Sequence, residues 1–417
     1  MSWRRLKHYC DGPSEYGLNV SSDAYVDDGF RLLRTTDIDD DGALSPDSEG
    51  VFVGRHLIGP RHVLRPGDLL FSRAGSLGRC FRVPQEARDL TFAGYLVPFR
   101  PLPSFEPRYI EYCASAAFAQ ASIRADAVTS TISNFNAERY GNLLLPDSDP
   151  EQQRAIADYL DRETARIDAL IEKKQKTIAT MEERFDAMVW DEIIGARFTE
   201  RKPCTLSWLS TVPAHWGTPT LSVNFDLQLG QMLNAAFASG PEQYPYLRNV
   251  NVQWNRFDLE DLATMHFDDA AKRRCELRQN DLLVCEGGEV GRAAVWSGEL
   301  HDCYYQKAIH RARPRQEANS RYLMYCLRAA AKRSVFAVEG NLSTIAHLTG
   351  EQLRVHRFPW PPPDEQAQIV ARLDRSAGAT TYATRLITRQ IALLQEHRQA
   401  LVTAAVTGEL EVTGATA

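Results

Sequence analysis

The sequence predicts an α/β (α+β) chain in which two similar domains are joined by two long helices that form an antiparallel coiled-coil pair. The chain has 417 residues, too many for one ordinary domain of about 150 residues. It repeats itself at a shift of about 213 residues, and each repeat ends in a long run of helical periodicity. With 44% hydrophobic and 24% charged residues, the composition is typical of globular domains with sizeable cores.

The internal repeat is clearest where LRPGDLLFSRAGSLGR (64–79) aligns with LRQNDLLVCEGGEVGR (277–292). Half of these aligned positions are identical, where composition alone gives roughly one match. The same shift aligns RYIEYC (108–113) with RYLMYC (321–326). A repeated order of motifs predicts two copies of one folded unit. A plain gene duplication that only enlarges a fold would leave the same pattern.

Each copy is expected to begin with short strands and to continue with a helix. Runs rich in β-branched and aromatic residues beside turn residues predict the strands. A helix is predicted near residues 107–123 and again near 319–335. The predicted strands are RLLRTTDI, DLLFS, RCFRV and YLVPF in the first copy, and YPYLRNVNV, DLLVC, RAAVW and QKAIHRA in the second.

Two long helices are predicted after the strand-rich parts. Asp149 suits an N-cap and Pro150 the first helical position of the first helix, while Gly408 is expected to end the second. Apolar residues recur mostly at steps of three, four or seven, which gives a narrow stripe with near-heptad spacing. The stripe residues are Ile156, Leu160, Ile167, Ile171, Ile178 and Phe185, then Ile369, Leu373, Ile387, Ile391, Leu394 and Leu401.

A polar-faced helix of this length cannot bury its stripe alone. We therefore expect the two helices to pair within the chain. Packing of each helix on its own globular part, or a coil between chains, would also cover the stripe. The predicted domains are 1–149, the helix 150–200, 201–362 and the helix 363–410.

Several kinds of chemistry find no support in the sequence. The eight cysteines form no CxxC pair, and the histidines show no zinc-ligand spacing. GGEVGR lacks the lysine of a phosphate-binding loop, and no catalytic methyltransferase tetrapeptide is present. Scattered cysteines without a secretory signal or an apolar run of membrane length predict a cytoplasmic protein with reduced thiols.

Both copies carry the same short motifs at the helix starts and in the strand-rich cores. The helix starts read PDEQAQI (363–369) and PEQQRAI (150–156), and Gly-Asp-x-Leu followed by Gly-x-x-Gly occurs in both cores, with Asn280 replacing the first glycine of the second. These motifs resemble the specificity subunits of type I restriction–modification systems, whose helix start is of the Pro-x-x-Glu-Gln-x-x-Ile type. Gln152 stands in place of the family's usual glutamate. The resemblance spans nearly the whole chain.

The resemblance implies a DNA sequence-specificity subunit with two target-recognition domains. Each domain would read one half of a bipartite, asymmetric site, and the paired helices, through the stripe residues above, would set the gap and dock partner subunits. The implied partners are double-stranded DNA, two methyltransferase (modification) subunits and two restriction (translocase/nuclease) subunits, with no membrane. The chain itself would be non-catalytic and bind no cofactor, whereas its partners would use S-adenosylmethionine, ATP and Mg.

Two other functions fit parts of the sequence. A structural or decoy protein would keep the helical docking surfaces without sequence-selective DNA binding and act against restriction, a reading that the net charge of −6 favours slightly. An enzyme with an unrecognised active site in one copy is the other alternative.

Candidate DNA-binding residues lie in the repeated core and near it. Arg73 suits pairing with a guanine edge, and Glu286, at the same position of the second copy, suits accepting a hydrogen bond from cytosine N4. Lys307, Arg311 and Arg313 alternate along one expected strand, so that their side chains would share a face. Solvated turns and a solvated strand face remain equally open readings. The candidates are Ser72, Arg73, Gly75, Arg79, Ser130, Thr131, Glu286, Gly288, Arg292, Lys307, Arg311, Arg313, Ser343 and Thr344; no metal ligand or catalytic residue is predicted.

Overall fold

The chain divides into two compact units, Met1–Gln175 with Thr388–Ala417 and Lys176–Ile387. Each unit contains a strand-rich globular part and one segment of each long helix. The domain boundaries proposed from the sequence stay a prediction. The computed structural model describes residues 2–11, 16–39, 42–45, 48–73, 77–128, 135–232, 242–336 and 347–412.

The first unit is built from short strands, three short helices and parts of both long helices. Its strands are β1 (Ser2–Arg5), β2 (Tyr25–Val26), β3 (Phe30–Leu33), β4 (Val51–Val53), β5 (Leu69–Ser72), β6 (Cys80–Arg82), β7 (Leu90–Phe92), β8 (Leu96–Phe99) and β9 (Leu144–Asp147). Its short helices are α1 (Pro107–Ser115), α2 (Ala117–Val128) and α3 (Ala137–Gly141), followed by the first long helix, α4 (Pro150–Ile193).

The second unit is also built from short strands and short helices followed by a long helix. Its strands are β10 (Arg201–Pro203), β11 (Thr211–Pro213), β12 (Phe225–Leu229), β13 (Tyr244–Leu247), β14 (Val252–Gln253), β15 (Arg256–Phe257), β16 (Ala263–Met265), β17 (Leu282–Cys285), β18 (Ala293–Val295), β19 (Tyr304–Tyr305) and β20 (Ile309–Pro314). Its helices are α5 (Leu221–Asn224), α6 (Asp269–Cys275), α7 (Ser320–Lys332) and α8 (Gly350–Val355), followed by the second long helix, α9 (Pro363–Thr407).

The central strands of the two units pair in the same pattern, although the sheets differ in their edge strands. In the first unit β5 lies between β6 and β8, both antiparallel to it, and β3 pairs in parallel with β7. In the second unit β17 lies between β18 and β20, again antiparallel, and β13 pairs in parallel with β19. The predicted duplication of one folded unit is therefore confirmed in the backbone.

The register of the repeat holds strand by strand. β17 begins 213 residues after β5, from Leu69 to Leu282, and β18 and β20 begin at the same offset from β6 and β8. Both central strands, LLFS and LLVC, are buried along their whole length. A short apolar run between turns is typical of a strand covered on both faces.

One correction concerns the helix predicted near residues 107–123. It is two helices, because Ala116 is extended, with φ −62° and ψ 152°. The N–H of Ala117 donates to Thr403 Oγ1 at 3.1 Å, which replaces the helical hydrogen bond at this point. The counterpart predicted near residues 319–335 is a single helix over Ser320–Lys332.

The long helices begin and end as their capping residues predict. Asp149 Oδ1 accepts from the N–H groups of Glu151 and Gln152, at 3.0 and 2.9 Å. α9 ends at Thr407, and Gly408 follows with φ +75°, the left-handed conformation in which glycine commonly ends a helix.

The RYxxY motif of each repeat attaches a short helix to its long helix. In the first unit Arg108 and Tyr112 donate to the two carboxylate oxygens of Asp161, at 2.7 and 2.8 Å. In the second unit Arg321 and Tyr325 donate to Asp374 at 2.6 and 2.7 Å. These charge-assisted bonds fix where the globular part sits on the long helix.

The long helices pair inside each unit. In the first unit Asp168 accepts from Arg398 at 2.9 Å, and Lys174 donates to Gln390 at 2.6 Å. The partner number falls as the α4 number rises, so the pair is antiparallel, as predicted.

The second unit holds its own segment of the pair. Arg372 of α9 donates to both carboxylate oxygens of Glu192 of α4 at 2.7 Å, and Phe185 lies in one apolar core with Leu373. Of the predicted stripe, the buried residues are Ile156, Leu160, Ile167, Phe185, Ile369 and Leu373, and the half-buried ones are Ile171, Ile178, Ile387, Ile391, Leu394 and Leu401.

Candidate nucleic-acid interface

Three loops meet at the carboxyl end of β5 in the first unit. The N–H of Arg73 donates to the carbonyl of Tyr95 at 2.8 Å, and the N–H of Phe135 donates to the carbonyl of Arg73 at 3.0 Å. We call this set of residues 73, 95 and 135 the first junction. The N–H and the carbonyl of Arg73 are thus both held by neighbouring loops, through bonds that involve no side chain.

The second unit repeats this junction at residues 286, 308 and 348. The N–H of Glu286 donates to the carbonyl of Ala308 at 3.0 Å, and the N–H of Leu348 donates to the carbonyl of Glu286 at 2.8 Å. All three positions are shifted by 213 from the first junction. The two units thus share one backbone frame at the ends of their central strands.

A fourth segment approaches each junction through a glycine. A Cβ on Gly17 would lie 2.4 Å from the carbonyl oxygen of Ala93, and a Cβ on Gly230 would lie 2.3 Å from that of Gln306. Only glycine permits this approach of two backbones. The residue before each glycine, Tyr16 or Leu229, is held near the junction in this way.

The side chains at the first junction form a cation–aromatic cluster. The guanidinium carbon of Arg73 lies 4.5 Å from the centre of the Tyr16 ring, within the distance of a cation–π contact. Tyr16 and Tyr95 are 49% and 62% exposed, whereas Arg73 is half-buried. Two exposed aromatic rings therefore accompany this arginine at the first junction.

The second junction carries different side chains on the same frame. Glu286 stands in the place of Arg73, and Ala308 in the place of Tyr95. The exposed Lys307 precedes Ala308, and its N–H donates to the carbonyl of Gln231 at 2.8 Å. The two backbone frames are alike, and the side chains that they carry differ.

A buried ion pair supports the central strand of each unit. Asp68 accepts from Arg100 Nε and Nη2, at 2.8 and 2.7 Å, and from the N–H of Arg65 at 2.8 Å. Asp281 accepts from Arg313 Nε and Nη2 at 2.7 Å, and from the N–H of Arg278 at 2.7 Å. The aspartate of the Gly-Asp-x-Leu motif therefore has a structural role.

The glycine of the same motif sits in a left-handed turn. Gly67 has φ +86°, and Asn280, which replaces it in the second unit, has φ +73°. Asparagine tolerates this conformation better than most residues. The turn is thus preserved although Asn280 replaces the glycine of the motif.

The predicted basic face of Lys307, Arg311 and Arg313 needs correction. The strand begins only at Ile309, so Lys307 lies in the preceding turn. Arg311 is 5% exposed and donates to the carbonyls of Arg274 and Glu276, at 3.0 and 2.9 Å. Because protein groups hold Arg311 and Arg313, the exposed cation of this set is Lys307.

The predicted phosphate contacts Arg79 and Arg292 both bond to backbone. Arg79 Nη1 donates to the carbonyl of Ile38 at 2.8 Å, and Arg292 Nη2 donates to that of Asn249 at 2.9 Å. Each side chain braces the turn after the central strand against a neighbouring loop. A phosphate contact at either residue stays a prediction.

The other predicted DNA-binding residues lie partly inside and partly outside the described residues. Ser72 is fully buried, and Gly288 is exposed with φ +72°, as a turn-forming glycine requires. Gly75, Ser130, Thr131, Ser343 and Thr344 lie outside the described residues.

Sequence reasoning missed Tyr16 and Tyr95. The available signal was an aromatic residue next to a glycine in each case, Tyr16-Gly17 and Gly94-Tyr95. Neither dipeptide reveals that the two segments converge on Arg73, since that depends on pairing between distant parts of the chain.

The described residues contain no cluster of three or more histidine, cysteine or acidic side chains placed to hold a metal ion. Beside the second junction, burial raises the pKa of the Cys285 thiol to about 11, so the group stays protonated near neutral pH. Within the same described ranges, no helix is long and apolar enough to cross a bilayer.

Comparison with known protein families finds a match in the second half of the chain. Residues 225–391 match the family model described as the type I restriction modification DNA specificity domain. The segment contains the second junction and the start of α9.

Comparison with whole proteins extends the match along the chain. The type I restriction enzyme EcoKI specificity subunit of Escherichia coli (strain K12) is 21% identical over 399 residues, covering 92% of this chain and 83% of that protein. Over most of its length the chain is therefore similar to a specificity subunit of a type I restriction enzyme, and the resemblance seen in the sequence is confirmed.

Two solved structures share the fold. One, from work on complex assembly and conformational transition of the type I R-M system, has a TM-score of 0.73 at 19% identity and covers 98% of both chains. The HsdS subunit from Thermoanaerobacter tengcongensis has a TM-score of 0.51 at 19% identity, covering 98% of this chain and 97% of that one. The fold class predicted from the sequence is confirmed.

Proposed function

We propose that this chain selects the DNA sequence on which a type I restriction–modification complex acts, and that each unit reads one half of a bipartite, asymmetric site. The observation that carries the proposal is the repeated junction. Identical backbone contacts at residues 73, 95 and 135 and at 286, 308 and 348 present different side chains. A common frame with unlike surfaces suits two half-sites of unlike sequence.

The paired helices set the distance between the half-sites and dock the methyltransferase subunits. A rigid antiparallel pair gives a fixed separation, which a bipartite reader needs because half-sites on one face of DNA lie about one helical turn apart, ~34 Å. The polar faces of the helices, outside the apolar stripe, would make the partner contacts.

The chain supplies sequence choice and no chemistry. Two methyltransferase subunits and two translocating nuclease subunits contribute S-adenosylmethionine-dependent methylation and ATP- and Mg-dependent cleavage, in the cytoplasm. The net charge of −6 supports a chain that acts on DNA together with partners. A chain that binds DNA through phosphates alone needs excess positive charge, so tight binding here depends on the partners.

The test is co-expression with the neighbouring methyltransferase genes, followed by mapping of methylated adenines across a genome. We expect one motif with two specified blocks and a gap of fixed length. Modification at a single continuous block would contradict the proposal. Co-purification with methyltransferase without any selective modification would instead support a decoy.

A further inference from the structure

We propose that Arg328 is a positioning residue, which holds the turn 286–291 of the second unit at a fixed place on the long helix α4. In this way it sharpens the choice of bases in the half-site that the second unit reads. The inference rests on the proposed function and adds to it a residue that acts through other residues. A continuous set of side-chain contacts from α4 to the turn carries it.

The contacts begin at α4, where two residues hold Arg328 of α7. Arg328 Nε donates to Asp186 Oδ1 at 2.7 Å, and the guanidinium carbon lies 4.9 Å from the centre of the Phe185 ring. Phe185 is buried, and the Arg328 side chain is 19% exposed. Because a planar guanidinium pairs through its edge and stacks through its face, the two contacts together fix its orientation on the helix.

Arg328 also contacts Trp254, which lies in the turn between β14 and β15. The guanidinium carbon is 5.9 Å from the centre of the Trp254 ring, within the distance of a cation–π contact. Trp254 Nε1 donates to Glu289 Oε1 at 2.7 Å. The N–H of the next residue, Asn255, donates to the carbonyl of Ala293 at 3.1 Å. Trp254 therefore connects Arg328 with the turn that contains Glu289.

The turn 286–291 begins at the second junction. The N–H of Gly291 donates to the carbonyl of Cys285 at 3.1 Å, which closes the turn. Because the turn is closed, a contact at Glu289 also restrains Glu286 at its first position. A reading side chain that is about 1 Å out of place loses its hydrogen-bond geometry, so base selection by the second unit depends on this restraint.

The first unit attaches its short helix to a long helix without this extension. A shift of 213 places Gln399 and Ser115 at the positions of Asp186 and Arg328. Gln399 Nε2 donates to the carbonyl of Ser115 at 2.8 Å, a neutral bond that ends on the backbone of the short helix. The attachment itself therefore needs no arginine at this position, and the contact with the reading turn is a separate feature of the second unit.

The experiment uses the full chain in complex with its methyltransferase partner. It measures affinity for the mapped target and for targets with one base pair replaced in either block. We expect the wild-type complex to discriminate roughly 5- to 150-fold at each specified position. Arg328→Ala should lower this discrimination roughly 5-fold or more in one block and leave it unchanged in the other.

Trp254→Phe tests the next contact. It keeps a ring beside Arg328 and removes the donor to Glu289, so it should lower discrimination in the same block as Arg328→Ala. Lys332→Ala is the matched control, since Lys332 lies on the same helix with its Nζ 3.6 Å from Asp186 Oδ2. It should leave both blocks unchanged. Urea unfolding of each variant reports stability separately from discrimination.

The outcomes separate this inference from the proposed function. If Arg328→Ala weakens binding to natural and substituted DNA by the same factor, Arg328 has a structural role only, and the inference is overturned while bipartite recognition stands. Unchanged discrimination in Trp254→Phe, or an equal loss in Lys332→Ala, overturns it as well. If Arg328→Ala does not fold, Trp254→Phe decides. A wild-type complex without sequence-selective binding overturns the proposed function itself.

Discussion

At the scale of single residues, the most informative feature is the buried aspartate of each repeat. Asp68 and Asp281 are 2% and 0% exposed. Each receives two hydrogen bonds from one arginine, Arg100 directly after β8 and Arg313 on β20. Bidentate pairs of this kind fix orientation as well as charge. They hold the central strand whose end carries the junction.

Replacing Asp68 with alanine should destabilise the first unit by about 3 kcal/mol. The substitution leaves Arg100, which is partly buried, without its carboxylate, and loss of one partner of a buried pair costs about 3–5 kcal/mol. Urea unfolding of the full chain measures the effect. Glu86→Ala, which removes an exposed carboxylate of the same unit, should change stability by less than about 0.5 kcal/mol; equal effects of the two variants would refute this role for Asp68.

A buried histidine should make the second unit sensitive to acid. Burial lowers the pKa of His310 below its ordinary 6.5, against the smaller opposing effects of its bond to the Leu348 carbonyl and of Glu286. Since the unfolded chain binds the proton more readily, stability is complete above about pH 6.5 and falls as the pH drops toward the lowered value.

Urea unfolding between pH 7.5 and pH 5 checks this expectation. His310→Gln removes the titrating group and retains an amide donor, so its stability should vary less across that interval. A His310→Gln chain whose stability falls as steeply as that of the wild type would show that other groups govern the response.

At the scale of elements, the helix pair depends on a narrow buried stripe. Leu160 is fully buried in the core of the first unit, whereas Leu170 on the same helix is 48% exposed. The alternation follows from near-heptad spacing, which turns one residue toward the partner helix and the other toward solvent.

Leu160→Ala should therefore destabilise the first unit by about 2–5 kcal/mol, the usual range for truncating a buried leucine. Leu170→Ala is the matched control on the same helix and should change stability by about 0.5 kcal/mol or less. Chemical denaturation compares the two. A larger loss for Leu170→Ala would place the buried stripe on the wrong face.

The proposed spacing role gives a second prediction for the helices. Deleting residues 174–180 and 384–390 removes one heptad from each helix and shortens the pair by about 10 Å. At about 3.4 Å per base pair, the gap of the modified motif should shorten by about three base pairs, with weaker binding because the DNA must also untwist.

Mapping of methylated adenines measures the new gap. Replacing the same residues with other heptads of equal length is the control and should leave the gap as it was. An unchanged gap after the paired deletion would rule out a spacing role.

At the scale of the whole molecule, the sequence predicted the architecture because duplication leaves a signal that needs no structural knowledge. The central strands, the long helices and their caps all lie where the repeat and the apolar periodicity place them. The break at Ala116 was missed, since it depends on a hydrogen bond that the N–H of Ala117 donates to Thr403, far away in the chain.

The candidate site was predicted less completely. Arg73 and Glu286 could be selected because their positions match across the repeat and their types differ. Arg311 could not be recognised as buried, nor Arg313 as paired with Asp281, because their protein partners come from other strands and loops. Tyr16 was missed for the same reason, since its approach to Arg73 depends on the contact between Gly17 and Ala93.

One substitution in the helix-start motif changes the contacts made at the start of the long helix. In the second unit Glu365 accepts from the buried Trp216 at 2.9 Å and lies 2.8 Å from His215. In the first unit Gln152 takes the place of Glu365 and donates to the carbonyl of Val412 at 3.2 Å. Trp3, which takes the place of Trp216, is 48% exposed. The two copies are thus alike in backbone and unlike in what covers the helix start.

The central claim is that the two units read separate halves of one site. Its most direct measurement exchanges residues 201–362 for the corresponding segment of another type I specificity subunit and maps methylated adenines with the same methyltransferase. We predict that one block of the motif changes, while the other block and the gap length are retained. A change in both blocks, or a motif that is not altered at all, would contradict the account.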